Sequence, residues 1–188
     1  IYSMLALPTH RLGSSYCLSH LGTRRIAPRV RTVVAAHTAM AAVPPEFGYV
    51  AGVVAASWFV HHGYMAFKVM QARKKYDVKY PALYATPEDC PNAEYRKAFN
   101  CVQRGHQNSL EGQPIFLAML LTAGLKHPVT AAVAGAVYLA GRVAYMQGYA
   151  TGDPEKRMRG GFQYAGLFTL VGILVKWGVQ TAVAALNK

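Results

Sequence analysis

The feature that most constrains this chain is a series of four long apolar segments, separated by connections rich in polar residues. The segments span residues 47–70, 99–125, 129–150 and 162–186. An α-helix rises about 1.5 Å per residue, so each segment is long enough for the roughly 30 Å hydrocarbon core of a bilayer. Neither a strand-like alternation nor a glycine-rich phosphate loop competes with this pattern. The sequence therefore predicts an all-α integral membrane protein built as a bundle of four transmembrane helices.

Composition agrees with a surface that faces lipid. Hydrophobic residues make up 53% of the chain and charged residues 15%, whereas soluble domains carry about 25% charged residues. The net charge of +12 suggests either nucleic acid or an anionic membrane surface as partner. Because the cations flank apolar segments and form no free basic helix, the pattern predicts membrane lipids and no nucleic acid.

The positions of the cations also predict an orientation. The connections that follow the first and third segments hold nine Lys and Arg residues, while the opposite side holds Lys126 and Lys188. Connections with excess positive charge stay on the cytosolic side. Both termini of the membrane domain are then expected on the other side.

Residues 1–39 differ in composition from the rest. They contain five Arg and no Lys, Asp or Glu, which is typical of a mitochondrial transit peptide. Met40 opens a segment that would serve as a start of its own. Two interpretations stay open: a mitochondrial presequence, or upstream sequence that is no part of the working protein. In both, residues 40–188 form the membrane domain.

The second and third segments carry polar stripes, because residues three and four apart share one face of a helix. Ionisable side chains inside a membrane are costly and face a bundle interior or a watery cavity. In one interpretation the arginine of the third segment pairs with the glutamate of the second as internal glue; in the other, the stripes line a binding site. The stripes are Arg104, Asn108 and Glu111, and Tyr138, Arg142, Tyr145 and Tyr149.

The chemistry of the stripes indicates what such a site would bind. A guanidinium group binds a carboxylate bidentately, a glutamate binds an ammonium group, and Asn and Tyr add neutral hydrogen-bonding groups. A zwitterionic peptide fits this set. The adjacent pair His61 and His62 is a weak metal motif, since neighbouring residues on a helix point about 100° apart. We expect one to line the bundle and the other to pack or form hydrogen bonds within it, with no metal bound.

Four motifs in these segments carry a resemblance to a known family. They are FNCVQRGHQNSLE at 99–111, GRVAYMQGY at 141–149, TGDPEKR at 151–157 and ARKKYDVKYP at 72–81. In this order they resemble the membrane-associated eicosanoid and glutathione metabolism proteins, and within that family most closely the type 3 microsomal glutathione S-transferase branch. The likeness covers essentially all of 46–186 and none of 1–39.

The resemblance implies a homotrimer of four-helix bundles, with glutathione bound in a bent form between protomers near the cytosolic face. No metal cofactor is implied. The positions that correspond to the family's glutathione contacts are Arg73, Arg104, His106, Gln107, Asn108, Glu111, Tyr145 and Tyr149.

The resemblance further implies a catalytic cation shortly after the third span. The family stabilises the glutathione thiolate with an arginine there, which corresponds to Arg157, with Lys156 as the competing assignment because relatives differ in spacing by one residue. The implied activity is that of a glutathione transferase and peroxidase. Its substrates would be lipid hydroperoxides and lipophilic electrophiles, with leukotriene A4 as one candidate, in the endoplasmic reticulum or a mitochondrial membrane. The alternative is a non-catalytic lipid-binding scaffold or accessory protein of the same fold.

Overall fold

The computed structural model describes residues 43–187, which form helices joined by loops and contain no β-strand. Residues 1–42 and Lys188 lie outside the described part of the chain, and with them the predicted transit-like segment 1–39 and Met40. The helices are α1 (Phe47–Trp58), a π-helical turn (Phe59–Met65), α2 (Ala66–Tyr76), α3 (Ala93–Gly124), α4 (Pro128–Tyr149), a 3-10 helix (Pro154–Gly160) and α5 (Gln163–Leu186).

The predicted segments correspond closely to these helices. The first is helical without a break from α1 through α2, and it continues past residue 70 through the basic run to Asp77, whose positive φ of 53° ends the helix. The second begins earlier than predicted, at Ala93, because Asn92 caps it by accepting a hydrogen bond from the Tyr95 amide at 3.0 Å. Side-chain oxygens at this position satisfy amides that the first turn leaves free.

Two helices, α4 and α5, are long and apolar enough to cross a membrane. Helix α5 is mostly exposed and presents large apolar side chains outward, among them Phe168, Val175 and Val179. Such a surface is unfavourable in water and suited to lipid or to another protein. The count of four spans stays a prediction.

The interior is layered along the helix axes. One apolar cluster surrounds Phe116, Leu120 and Leu170, and a second surrounds Met65, Phe99 and Met146. Along α1, α3 and α4, buried polar side chains lie between the two clusters. They are Ser57, His61, Gln103, Ser109 and Arg142, joined by Gln163 from α5. The π-helical turn contributes His61 to this layer. The polar layer therefore draws side chains from α1, the π-helical turn, α3, α4 and α5.

Candidate functional site

The centre of the polar layer is the buried guanidinium group of Arg142 on α4. Its Nε donates to Ser109 Oγ on α3 at 2.9 Å, and Nη1 donates to Gln163 Oε1 on α5 at 3.1 Å. Nη2 donates to Asn108 Oδ1 at 3.1 Å, and the group lies 4.5 Å from the centroid of the Tyr145 ring. Arg142 thus joins three helices through neutral partners.

The interpretation in which Arg142 pairs with Glu111 is wrong. Glu111 Oε1 accepts a hydrogen bond from Arg104 Nη1 at 2.9 Å instead, with both side chains about half exposed at 49% and 44%. Residues 104 and 111 are two helical turns apart and share the outer face of α3. The structure therefore has two separate features: Arg142 is buried with its hydrogen bonds made to neutral side chains, and the Arg104–Glu111 ion pair is accessible on the outer face of α3.

The tyrosines of the α4 stripe lie side by side near its C-terminal end. The rings of Tyr145 and Tyr149 meet edge to face with centroids 5.1 Å apart. The 3-10 helix packs directly on this end of α4: a Cβ placed on Gly148 would overlap the Lys156 carbonyl group and stand 2.9 Å from the Arg157 amide nitrogen. Only a glycine permits this approach, which brings the backbone of residues 156–157 against α4 one position before Tyr149.

The two candidate catalytic cations differ in their surroundings. Arg157 is partly buried and its Nη1 donates to the Pro154 carbonyl at 2.8 Å. Lys156 is exposed, and its Nζ lies 3.4 Å from Asp153 Oδ2. Asp153 also accepts from the Glu155 amide at 3.0 Å, and this hydrogen bond holds the pKa of the Asp153 carboxyl below its ordinary value. Lys156 is therefore engaged by a charged carboxylate on the surface, whereas Arg157 lies against the protein.

The other predicted contacts face different neighbours. Arg73 Nη2 donates to the Ala82 carbonyl at 2.7 Å, and its guanidinium group stacks 4.3 Å from the Tyr80 ring centroid. Gln107 Oε1 accepts from Tyr84 at 2.6 Å, so both Arg73 and Gln107 hold the loop between α2 and α3. In the described part of the chain, Arg73 makes no ion pair with the outer face of α3.

His106 faces the first helix. Its Nε2 donates to the His61 carbonyl at 3.1 Å, at the π-helical turn. His61 itself is buried, with Nδ1 donating to the Ser57 carbonyl at 2.7 Å, while His62 is exposed. His61 therefore packs and forms a hydrogen bond inside the bundle as expected, whereas His62 lies on its outside, which the prediction did not anticipate. Within residues 43–187 there is no cluster of three or more side chains suited to a metal.

Three residues that the sequence analysis passed over help to build this site. Ser109 and Gln163 accept the Arg142 hydrogen bonds, and Tyr84 fixes Gln107. The sequence does indicate Gln163, because it is a polar residue in the first turn of an apolar helix. Tyr84 lies in an irregular loop, where no periodic pattern indicates a partner.

The fold and these contacts define a class: an all-helical chain with apolar outer helices, a buried polar layer and a charged face on α3. Comparison with known proteins makes the assignment specific. Residues 50–179 match the MAPEG family, and the chain belongs to that family, whose members are membrane proteins.

Known relatives agree with this assignment. Microsomal glutathione S-transferase 2 of Mus musculus is 36% identical over 119 residues, covering 63% of this chain and 74% of the relative. The Homo sapiens protein of the same name is 35% identical over 120 residues, with the same coverage. Leukotriene C4 synthase of Bos taurus is 38% identical over 94 residues, covering 50% of this chain and 56% of the relative. These relatives are type 2 transferases and leukotriene C4 synthases, which corrects the expected type 3 branch.

Proposed function

We propose that this protein is a glutathione-dependent membrane transferase and peroxidase that acts on lipophilic electrophiles and lipid hydroperoxides. Relatives that are named glutathione S-transferase and leukotriene C4 synthase support the transferase class. The latter name makes leukotriene A4 a candidate substrate. The observation that carries the proposal is the accessible ion pair of Arg104 and Glu111 on a helix of a membrane protein.

That ion pair supports the proposed assembly. A charged pair facing lipid costs several kcal/mol, so its face is expected against protein, water or a polar ligand. The helical stretch 47–76 and α3 are roughly 45 and 48 Å long, enough to cross a bilayer beside α4 and α5. We therefore propose a four-helix bundle that forms a homotrimer, with glutathione held between protomers.

In the proposed site, Arg104 binds a carboxylate of glutathione and Glu111 binds its ammonium group. Their mutual ion pair then opens in favour of the ligand, which presents both charges at once. The side-chain oxygen of Asn108 accepts a hydrogen bond from Arg142, and its NH₂ group remains able to donate to the ligand. The remaining proposed contacts are Arg73, His106, Gln107, Tyr145 and Tyr149.

We assign thiolate stabilisation to Arg157. A free thiol has a pKa near 8.5 and is only a few per cent ionised at neutral pH, and an adjacent cation lowers that pKa. The sulfur then attacks either an epoxide carbon, which opens the ring and forms a thioether, or a hydroperoxide oxygen. In the second case the O–O bond breaks, the sulfur keeps the terminal oxygen as a sulfenic acid, and the lipid oxygen takes up a proton and leaves as an alcohol. A second glutathione then attacks the sulfenic sulfur, which forms the disulfide and releases water.

The test uses the full chain purified in detergent. We expect a thiolate absorbance on adding glutathione, and then consumption of a fatty-acid hydroperoxide or of a lipophilic epoxide. Appearance of a thiolate without either turnover would contradict the enzyme. Absence of both the thiolate and turnover would favour the alternative, a lipid-binding scaffold. That alternative is consistent with the hydrogen bonds that Arg142 and Arg73 already make within the chain.

Arg104→Met and Glu111→Gln are each expected to weaken glutathione binding about tenfold. Each removes one charge-assisted contact, and such contacts contribute roughly twice the energy of neutral hydrogen bonds. The measurement is the glutathione concentration at half-maximal thiolate absorbance. Arg159→Met is the matched control, because Arg159 is exposed in the 3-10 helix and outside the proposed set. Equal weakening in the control would indicate a general charge effect.

We propose the endoplasmic reticulum or a mitochondrial membrane as the location. Fractionation of cells that carry tagged full-length or Met40-start protein tests which one applies. If the arginines of residues 1–39 direct import, the full-length protein alone reaches mitochondria.

A further inference from the structure

A cavity of about 190 Å³ lies beside α2, against α3 and the end of α4. Its polar side consists of Lys68, Gln71 and Lys75, which share one face of α2. A water molecule occupies about 30 Å³ in the liquid. The cavity therefore has room for a phosphate group together with hydrating water.

The cavity carries positive charge without a matching anion of its own. No carboxylate lines it, and neither lysine forms an ion pair within residues 43–187. The Lys68 ammonium lies 5.8 Å from the Tyr64 ring centroid, and the Lys75 ammonium lies 5.0 Å from that of Tyr76. Lys68 is partly buried, which makes its unpaired charge costly and an external anion favourable.

Much of the remaining lining of the cavity is apolar. Ala72 and Val102 are buried, and Ala150 completes the wall at the end of α4. Lys68 precedes Lys75 by two helical turns, or about 10 Å along the axis. Because α2 runs toward the basic connection, Lys68 lies on the side nearer the membrane centre. The cavity thus places two cations and an apolar surface side by side at the end of the bundle that adjoins the basic connection.

We propose that this cavity binds the headgroup phosphate of an anionic phospholipid. Lys68 and Lys75 bind the phosphate oxygens, Gln71 donates from its amide, and the upper acyl chains lie against the apolar wall. Basic pockets between membrane helices bind anionic headgroups in this way. None of these residues belongs to the proposed glutathione set, so the two proposals fail or succeed separately.

The test measures lipid binding to the full chain in detergent by native mass spectrometry. Phosphatidylserine and phosphatidylcholine with the same acyl chains are compared. We expect the wild-type protein to retain phosphatidylserine preferentially, and Lys68→Gln/Lys75→Gln to bind it about tenfold more weakly. The matched control is Lys74→Gln/Lys97→Gln, which removes the same charge from exposed positions outside the cavity. Equal loss in both double variants, or equal retention of both lipids, would overturn the proposal.

Two further variants separate binding from folding. Lys68→Arg/Lys75→Arg keeps both charges and is expected to retain the lipid. Gln71→Glu places a carboxylate at an exposed position of the cavity and is expected to repel it, with the unfolding temperature unchanged. Inorganic phosphate is expected to compete only weakly, since it lacks acyl chains. Displacement of the lipid by phosphate at equal concentration would overturn the assignment to a lipid.

Discussion

Arg157→Ala is expected to lower kcat about 100-fold while the dissociation constant of glutathione changes less than about threefold. Removal of one preorganised group that stabilises developing or resident negative charge costs about 100-fold to 1,000-fold in kcat. Within residues 43–187, the Arg157 side chain donates only to the Pro154 carbonyl of its own short helix, so its loss leaves the core intact. Glutathione is held by other residues in the proposed site. Steady-state turnover and thiolate titration on the same preparation measure the two quantities.

The pH profile gives an independent check on this role. With the cation removed, the thiol pKa returns toward about 8.5, so the pH at which kcat/KM reaches half its plateau rises. Activity of Arg157→Ala should therefore recover in part as the pH rises through this range. An altered kcat with an unshifted pH profile would assign Arg157 a positioning role and no influence on the thiol.

Lys156→Ala is the matched control for Arg157→Ala. Its ammonium group forms a surface ion pair with Asp153, and ion pairs between exposed side chains contribute little to stability. We expect kcat within about threefold of wild type. If Lys156→Ala caused the large loss and Arg157→Ala the small one, the thiolate-stabilising role would belong to Lys156. If neither changed turnover, the role would lie outside the 3-10 helix.

The positions of the long helices follow from the sequence because apolar length is a local property. The third predicted segment, 129–150, differs from α4 by only one residue at each end. The agreement is close because Pro128 is a sequence signal for the start of a helix and the turn at Gly152 is a signal for its end. The basic run after residue 70 was harder to place. Its charges do not end the helix, which continues to Tyr76.

The partners of the polar side chains could be predicted only in part. Periodicity places Arg104, Asn108 and Glu111 on one face of α3, and the structure agrees in forming the Arg104–Glu111 ion pair. The partner of Arg142 depends on how α3, α4 and α5 rotate against one another, and the spacing within one helix carries no information on that. Arg73 likewise donates a hydrogen bond to the Ala82 carbonyl, and the position of this loop carbonyl depends on tertiary structure.

Gly148→Ala is expected to destabilise the protein by about 3 kcal/mol and to lower kcat about 100-fold, although every charged and aromatic side chain of the proposed site is retained. A Cβ at this position would overlap the Lys156 carbonyl group. That group belongs to the backbone and cannot rotate away as a side chain could. The 3-10 helix must therefore shift off α4 and carry Arg157 with it, and a displacement of about 1 Å at a reacting group costs roughly 100-fold. Thermal unfolding in detergent and hydroperoxide turnover measure the two effects.

Gly172→Ala makes the same substitution at a helical glycine of α5 where nothing lies within 4 Å of the added atom. Alanine favours a helix over glycine by about 1 kcal/mol, so this control should be neutral or slightly stabilising, with turnover unchanged. The contrast isolates the contact between α4 and the 3-10 helix from the general preference of helices for alanine. If Gly148→Ala lost stability but kept full turnover, the placement of Arg157 against α4 would have no part in catalysis. If it kept both, the close approach of residues 156–157 to α4 would itself be contradicted.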